Sequence, residues 1–201
     1  MTRLSRQEIA SHQLYLTSWR PPEEMEQYVA SVNDYMDSVD FFCQPGTQFL
    51  RDAWLAAQFA KHRRLHRVRL VPPESQWPDF EVQSIDGKIE RVECVEADVP
   101  GRRRNDEYTD KKKSSDEAWS LTSPEDWSKD ADTIPYALRT ASQKKAEKNY
   151  NGLVSLMIYL NINEYGIKQK EVEACMQESV DQAREKFEKV YILWQNKLYE
   201  I

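Results

Sequence analysis

Residues 77–98, WPDFEVQSIDGKIERVECVEAD, decide how the rest of the chain is read. Phe80 and Val82 alternate with Glu81 and Gln83, the two-residue period of a half-buried strand, and Asp79 stands at its entrance after Pro78. Ile85-Asp86-Gly87-Lys88 supplies a turn in which Gly87 can take a positive φ. The run Ile89 to Glu96 alternates again, with Ile89, Arg91, Glu93 and Val95 on one face and Glu90, Val92, Cys94 and Glu96 on the other. Paired as a hairpin, the two runs would bring Asp79 and Glu93 to one face. Two carboxylates in a partly dry site repel each other, and a hard divalent cation with oxygen ligands, Mg²⁺ or Mn²⁺, would stabilise both in ionised form. On spacing alone, a surface hairpin with solvated acids fits as well.

Upstream, Pro45-Gly46 breaks the chain, and Thr47 can cap a helix whose apolar face is Phe49, Leu50, Ala53, Trp54, Ala57 and Ala60. Asp52 lies beside that face, either as a third acid near a metal or as a solvated carboxylate. Lys61, His62, Arg63, Arg64, His66 and Arg67 crowd the helix end, where cations suit the negative end of the dipole. His62 and His66 have the four-residue spacing of helical zinc ligands, but the local sequence offers no third. Val68 and Leu70 begin a strand expected to continue to Trp77-Pro78. Nearer the start, residues 5–17 suit a short helix and Pro21-Pro22-Glu23-Glu24 opens a clearer one. The stripe Met25, Tyr28, Val29, Val32, Tyr35, Met36 and Val39 in that helix asks for burial, as core or as a homodimer seam.

Downstream, residues 99–132 read as a long polar loop with Arg102, Arg103, Arg104, Lys111, Lys112 and Lys113. Directly after an acidic strand, such a loop can close over a phosphate backbone, with Trp119 and Trp127 either docking it or stacking on bases. Asp132 or Thr133 can cap a helix from about Pro135, with Gly152 at its C-terminal cap. Its buried stripe is Ile134, Ala137, Leu138 and Ala141, with Lys148 on that stripe and Lys144 and Lys145 to either side. An inward lysine needs an anion, and the alternative is that these lysines reach outward to solvent. Leu153 to Ile162 suits a central strand buried on both faces, and a polar helix follows from Lys168 to about Glu188. Val190 to Trp194, a turn at Gln195-Asn196 and a strand from Lys197 end the chain.

Pro78-Asp79, a short loop and Glu93 on the next strand resemble the PD-(D/E)XK nuclease superfamily, which includes many restriction-type endonucleases. The resemblance spans roughly Gln48 to Leu160: Asp52 to Ala60 is similar to the helix before the core hairpin, and Gln143 to Tyr150 with Leu153 to Leu160 to the helix and fourth strand. It implies an α/β, restriction endonuclease-like core of order α-β-β-β-α-β with a mixed central sheet, over residues 47–201, and a helical extension at 1–46. It implies Asp79, Glu93 and Asp52 as ligands of Mg²⁺ or Mn²⁺, DNA or RNA as substrate, and Arg102–Arg104, Lys111–Lys113 and Lys144 as nucleic-acid contacts. The family's lysine, two residues after the glutamate, falls at Val95, which can neither orient water nor offset negative charge. Either a lysine comes from elsewhere, as some members allow, with Lys145 or Lys148 the candidates, or the chain is an inactive fold relative that binds nucleic acid or protein.

At 201 residues the chain is long enough for one domain with a proper core. Its net charge of −6 argues against wholesale wrapping by nucleic acid and leaves room for a local basic groove. Cys43, Cys94 and Cys175 are odd in number and without CxxC spacing, which predicts reduced thiols and a cytoplasmic protein. No run of about eighteen apolar residues exists to form a membrane helix.

Overall fold

A computed structural model describes residues 3–75, 77–102, 123–150 and 152–201. It is an α/β structure whose six strands form one mixed sheet in the order β1-β2-β3-β4-β5-β6. The strands are β1 (Arg67–Leu70), β2 (Phe80–Gln83), β3 (Ile89–Ala97), β4 (Ser155–Leu160), β5 (Val190–Trp194) and β6 (Lys197–Glu200). The described residues divide into two compact units within β3, between Val92 and Glu93. Residues 1–46 lie in the first unit together with the helix and strands that follow them.

The first unit holds α1 (Arg6–Leu16), α2 (Pro22–Tyr35), α3 (Ser38–Cys43) and α4 (Gln48–His62). Ser5 caps α1, its hydroxyl accepting from the Glu8 N–H while Glu8 accepts from the Ser5 N–H. The stripe of α2 is buried at Met25, Val29 and Val32, and α2 packs on α4. The helix does not run on to Val39: Met36 is extended, and the Asp37 carboxylate accepts the Val39 N–H to start α3. Thr47 precedes α4 but donates its hydroxyl to the Phe41 and Gln44 carbonyls instead of capping N–H groups. The buried face of α4 covers β1 and β2, with the Phe59 ring edge-on to Phe80 at 5.6 Å. β1 stops at Leu70, short of the expected length, because the prolines at 72 and 73 lack the N–H a ladder needs. β2 and β3 pair antiparallel with Phe80 opposite Val92 and Gln83 opposite Ile89, across a turn where Gly87 has φ of 87°.

The second unit holds the rest of β3, α5 (Pro124–Asp132), α6 (Ile134–Ala146), β4, α7 (Gln169–Ser179), α8 (Asp181–Arg184), β5 and β6. The end of the expected polar loop is a helix, because Ser123 and Asp126 form a capping box ahead of Pro124 at its first turn. α6 ends at Ala146, six residues before Gly152, so that glycine is not its cap. The polar helix expected to reach Glu188 is broken at Val180 into α7 and α8. β4 is buried except at Tyr159, pairs parallel with the fully buried β5, and carries α6 against it. β5 and β6 close antiparallel through Gln195 and Asn196, both at positive φ, as a two-residue hairpin turn requires. No described helix is long and apolar enough to cross a membrane.

Candidate functional site

The β3 backbone alternates, so Glu93 points away from the face that carries Val92. Glu93 lies in the second unit, where its side chain is 3% exposed. Burying a carboxylate alone would be prohibitive, and the fold supplies a cation. On α6 the buried positions Ile134, Ala137, Leu138, Ala141 and Ser142 continue to Lys145 at i+4 and i+3. The ammonium Nζ of Lys145 donates to Glu93 Oε1 at 2.6 Å. Lys145 is itself buried, with 8% of the residue exposed. The hydroxyl of Tyr150, in the loop after α6, donates to the same oxygen at 3.3 Å. Its ring leans on Phe187 at 5.3 Å, which holds the hydroxyl in place. Lys145 and Tyr150 thus hold the buried carboxylate in a charge-assisted network that fixes its orientation.

Of the three candidate lysines, Lys145 is therefore the one that meets Glu93. Lys148 lies beyond the end of α6 and is exposed, and Lys144 is exposed on the outer side of the helix. The expectation that Lys148 occupies the buried stripe fails because α6 ends at Ala146, so helical phase does not extend to it. Val95 is half-buried. Tyr150 is not among the site residues expected from the sequence, and its one signal there is an aromatic closing the lysine-rich stretch 143–150.

Asp79 and Asp52 belong to the first unit. Asp79 is half-buried at the entrance of β2, where its backbone carbonyl accepts the Val71 N–H, and Asp52 is half-buried on α4. Among the described residues no group of three or more His, Cys, Asp and Glu is placed to hold a metal ion. Arg102 lies 3.8 Å from Asp98, an ion pair one helical turn apart in sequence. Arg103, Arg104, Lys111, Lys112, Lys113 and Trp119 lie outside the described residues. Trp127 is on α5, its ring 4.3 Å from that of Tyr165, so it docks the helix within its own unit.

A second buried acid, Glu164, was not anticipated. Fully buried, it accepts the Lys168 N–H at 2.6 Å and the Gln195 amide at 3.0 Å, tying the start of α7 to the β5–β6 turn. Both oxygens are used in holding backbone and turn, which makes Glu164 a structural latch. Scans of the chain against protein-family models, against curated proteins and against solved structures each return no match.

Proposed function

We propose that the chain is a divalent-metal-dependent phosphodiester hydrolase acting on DNA, with RNA as the other substrate class, built on a restriction endonuclease-like core. The order α4, β1-β2-β3, α6, β4 is compatible with the helix, meander, helix and strand of that core. One observation carries the reading: Lys145 reaches Glu93 from α6 at 2.6 Å, where its ammonium could stand in for the lysine absent at Val95.

The donor set suits a hard cation better than zinc, because the motif acids offer carboxylate oxygen and neither thiolate nor imidazole. Mg²⁺ keeps several waters and takes one or two carboxylates with substrate phosphates, so a sparse protein contribution is sufficient. Glu93 would contribute to holding it, and Asp79 is the further ligand that the resemblance in sequence implies; once bound it would supply an activated water and offset charge on the scissile phosphate. Lys145 holds the Glu93 carboxylate in a fixed orientation, and its ammonium offers further N–H donors to an attacking water or a phosphate oxygen. Tyr150 fixes the carboxylate from the other side.

The test is cleavage of supercoiled and linear DNA, and of RNA, with Mg²⁺ or Mn²⁺. Wild type cleaves, and Lys145→Met or Glu93→Gln loses about 10²-fold or more in turnover, the scale of losing one electrostatic stabiliser. A wild-type protein inert with every divalent metal would remove the hydrolase reading.

The second reading is a fold relative that binds nucleic acid or protein without cutting it. It is favoured by the same contact seen differently: Lys145 already neutralises Glu93, so the pair can tie β3 to α6 with no ion. Metal binding by calorimetry separates the two, because the hydrolase must bind Mg²⁺ or Mn²⁺ and lose it in the Asp79→Ala, Glu93→Ala double variant.

A further inference from the structure

In the first unit, the face of β1 and β2 turned away from α4 is charged. Register places Arg69 opposite Glu81 and Glu81 opposite Arg91, so one row crosses three strands as Arg, Glu, Arg. Arg67 stands two residues from Arg69 on the same face, by the two-residue period that buries Val68 and Leu70 against α4. The row is assembled as well as aligned: Arg69 donates to Glu81 Oε2 through Nε at 2.9 Å and Nη2 at 2.7 Å, and Arg91 Nε lies 3.7 Å from Glu81 Oε1. The Arg69 guanidinium also sits 4.6 Å from the centre of the Trp19 ring.

Glu81 lies deeper than the two arginines that flank it. Its side chain is 12% exposed, against 37% for Arg69 and 48% for Arg91. A guanidinium has five N–H donors in a rigid fork, and Glu81 takes only two from Arg69, so the outer edges of both arginines remain for a ligand. Arg67 is exposed and meets no acidic side chain among the described residues. Along the strand Arg67 and Arg69 are about 7 Å apart, and Arg91 stands about 10 Å across two strand spacings, so three separate anionic groups can be met at once. Asp79 shares the face by its period, at the entrance of β2. Within the first unit the face therefore carries three arginines against two acids, one of which, Asp79, the hydrolase reading assigns to a metal ion.

We infer that the Arg67, Arg69 and Arg91 face of the β1–β2–β3 meander is the surface that receives a nucleic-acid phosphate backbone. The inference takes its partner from the proposed function but not its cleavage chemistry. Repeated phosphates fit it because rigid arginines at fixed spacings match a repeating anion, whereas a single small anion would use one of them. The contacts are to backbone, so binding is insensitive to base sequence and steeply dependent on salt.

The experiment is fluorescence anisotropy with a labelled 20-base-pair DNA duplex in EDTA, titrated across salt concentrations. Each phosphate contact adds about 0.9 to the salt exponent, or roughly eightfold in affinity at 0.1 M salt. The Arg67→Gln, Arg69→Gln, Arg91→Gln triple variant should lose about 100-fold or more and flatten the salt slope by between two and three. Glu81→Gln should bind more tightly than wild type, an outcome that loss of folding cannot produce. Lys170→Gln, an exposed lysine on α7, should bind as wild type does. A triple variant with wild-type affinity and slope overturns the inference, as does a wild type that binds anionic phosphatidylserine vesicles but not DNA. Cleavage by the wild type alongside an unaffected triple variant would sink this face and leave the hydrolase reading standing. Binding lost in the triple variant, from a protein that never cleaves, would do the reverse.

Discussion

Glu81 and Glu93 sit on neighbouring strands of one hairpin and both meet cations, but in opposite settings. Glu81 lies between two arginines that are themselves open to solvent, while Glu93 and its lysine are both enclosed. Ion pairs with similar N–O distances are thus energetically unlike. At the surface, water screens the pair and can replace either partner, so arginines held by Glu81 stay available to another anion. In the interior nothing replaces a lost partner, and the contact becomes a condition of the fold as well as a candidate for chemistry. The same carboxylate chemistry leaves arginines open to solvent in one unit and fixes an orientation in the other.

The sharpest way to break this contrast is to remove the buried cation. Lys145→Met leaves a carboxylate enclosed without its ammonium and should destabilise by about 3–5 kcal/mol in urea unfolding. If the loss were under about 1 kcal/mol, Glu93 would be far less desolvated than its 3% exposure states. Replacing both partners, as Glu93→Leu with Lys145→Met, should recover most of that loss and come within about 1–2 kcal/mol of wild type. The recovery separates a cost of unpaired charge from a cost of packing, and a double variant as unstable as Lys145→Met would assign the effect to packing.

At the surface, Glu81→Gln should cost about 1 kcal/mol, and its effect should shrink as salt is raised from 0.05 to about 0.5 M, where screening shortens the reach of exposed charges. The Lys145→Met effect should hardly move over the same range. An intermediate case is Glu26, bonded at 2.6 Å by both Lys61 and Gln58 and about one-third exposed. The Lys61 hydrogen bond holds its carboxyl below the ordinary carboxylate range, against partial burial, which pushes it up, and Gln58 adds to the lowering. A depressed folded value means that the stabilisation is present above the ordinary carboxylate range and is lost as pH falls through the depressed one. Glu26→Gln should therefore cost about 0.5 kcal/mol at neutral pH and nothing once the carboxyl is protonated. Stability curves measured against pH for the two proteins should converge on the acid side; a constant offset would show that the charge is not what Glu26 contributes.

Much of the architecture was legible because periods and breakers act locally. The alternation at Phe80 and Val82, the glycine at 87, the apolar run of β4 and the Gln195-Asn196 turn each specify their own backbone. Expectations failed where a competing local signal was present but outweighed on reading. Asp37 capping α3 cut short the Met25-to-Val39 stripe, and the Ser123 and Asp126 capping box turned polar sequence into α5. Nothing local fixes where α6 stops, and that one boundary decides between Lys145 and Lys148 at the glutamate.

By itself the sequence determined most element types and the faces of the hairpin, since these follow from side-chain period and turn chemistry. Only the tertiary structure decided that Glu93 is enclosed, that its lysine comes from 52 residues away on α6, and that Tyr150 shares its oxygen. The reason is that burial and long-range pairing depend on how separate elements pack. A carboxylate reads the same in sequence whether water or a lysine surrounds it, and packing alone determines which.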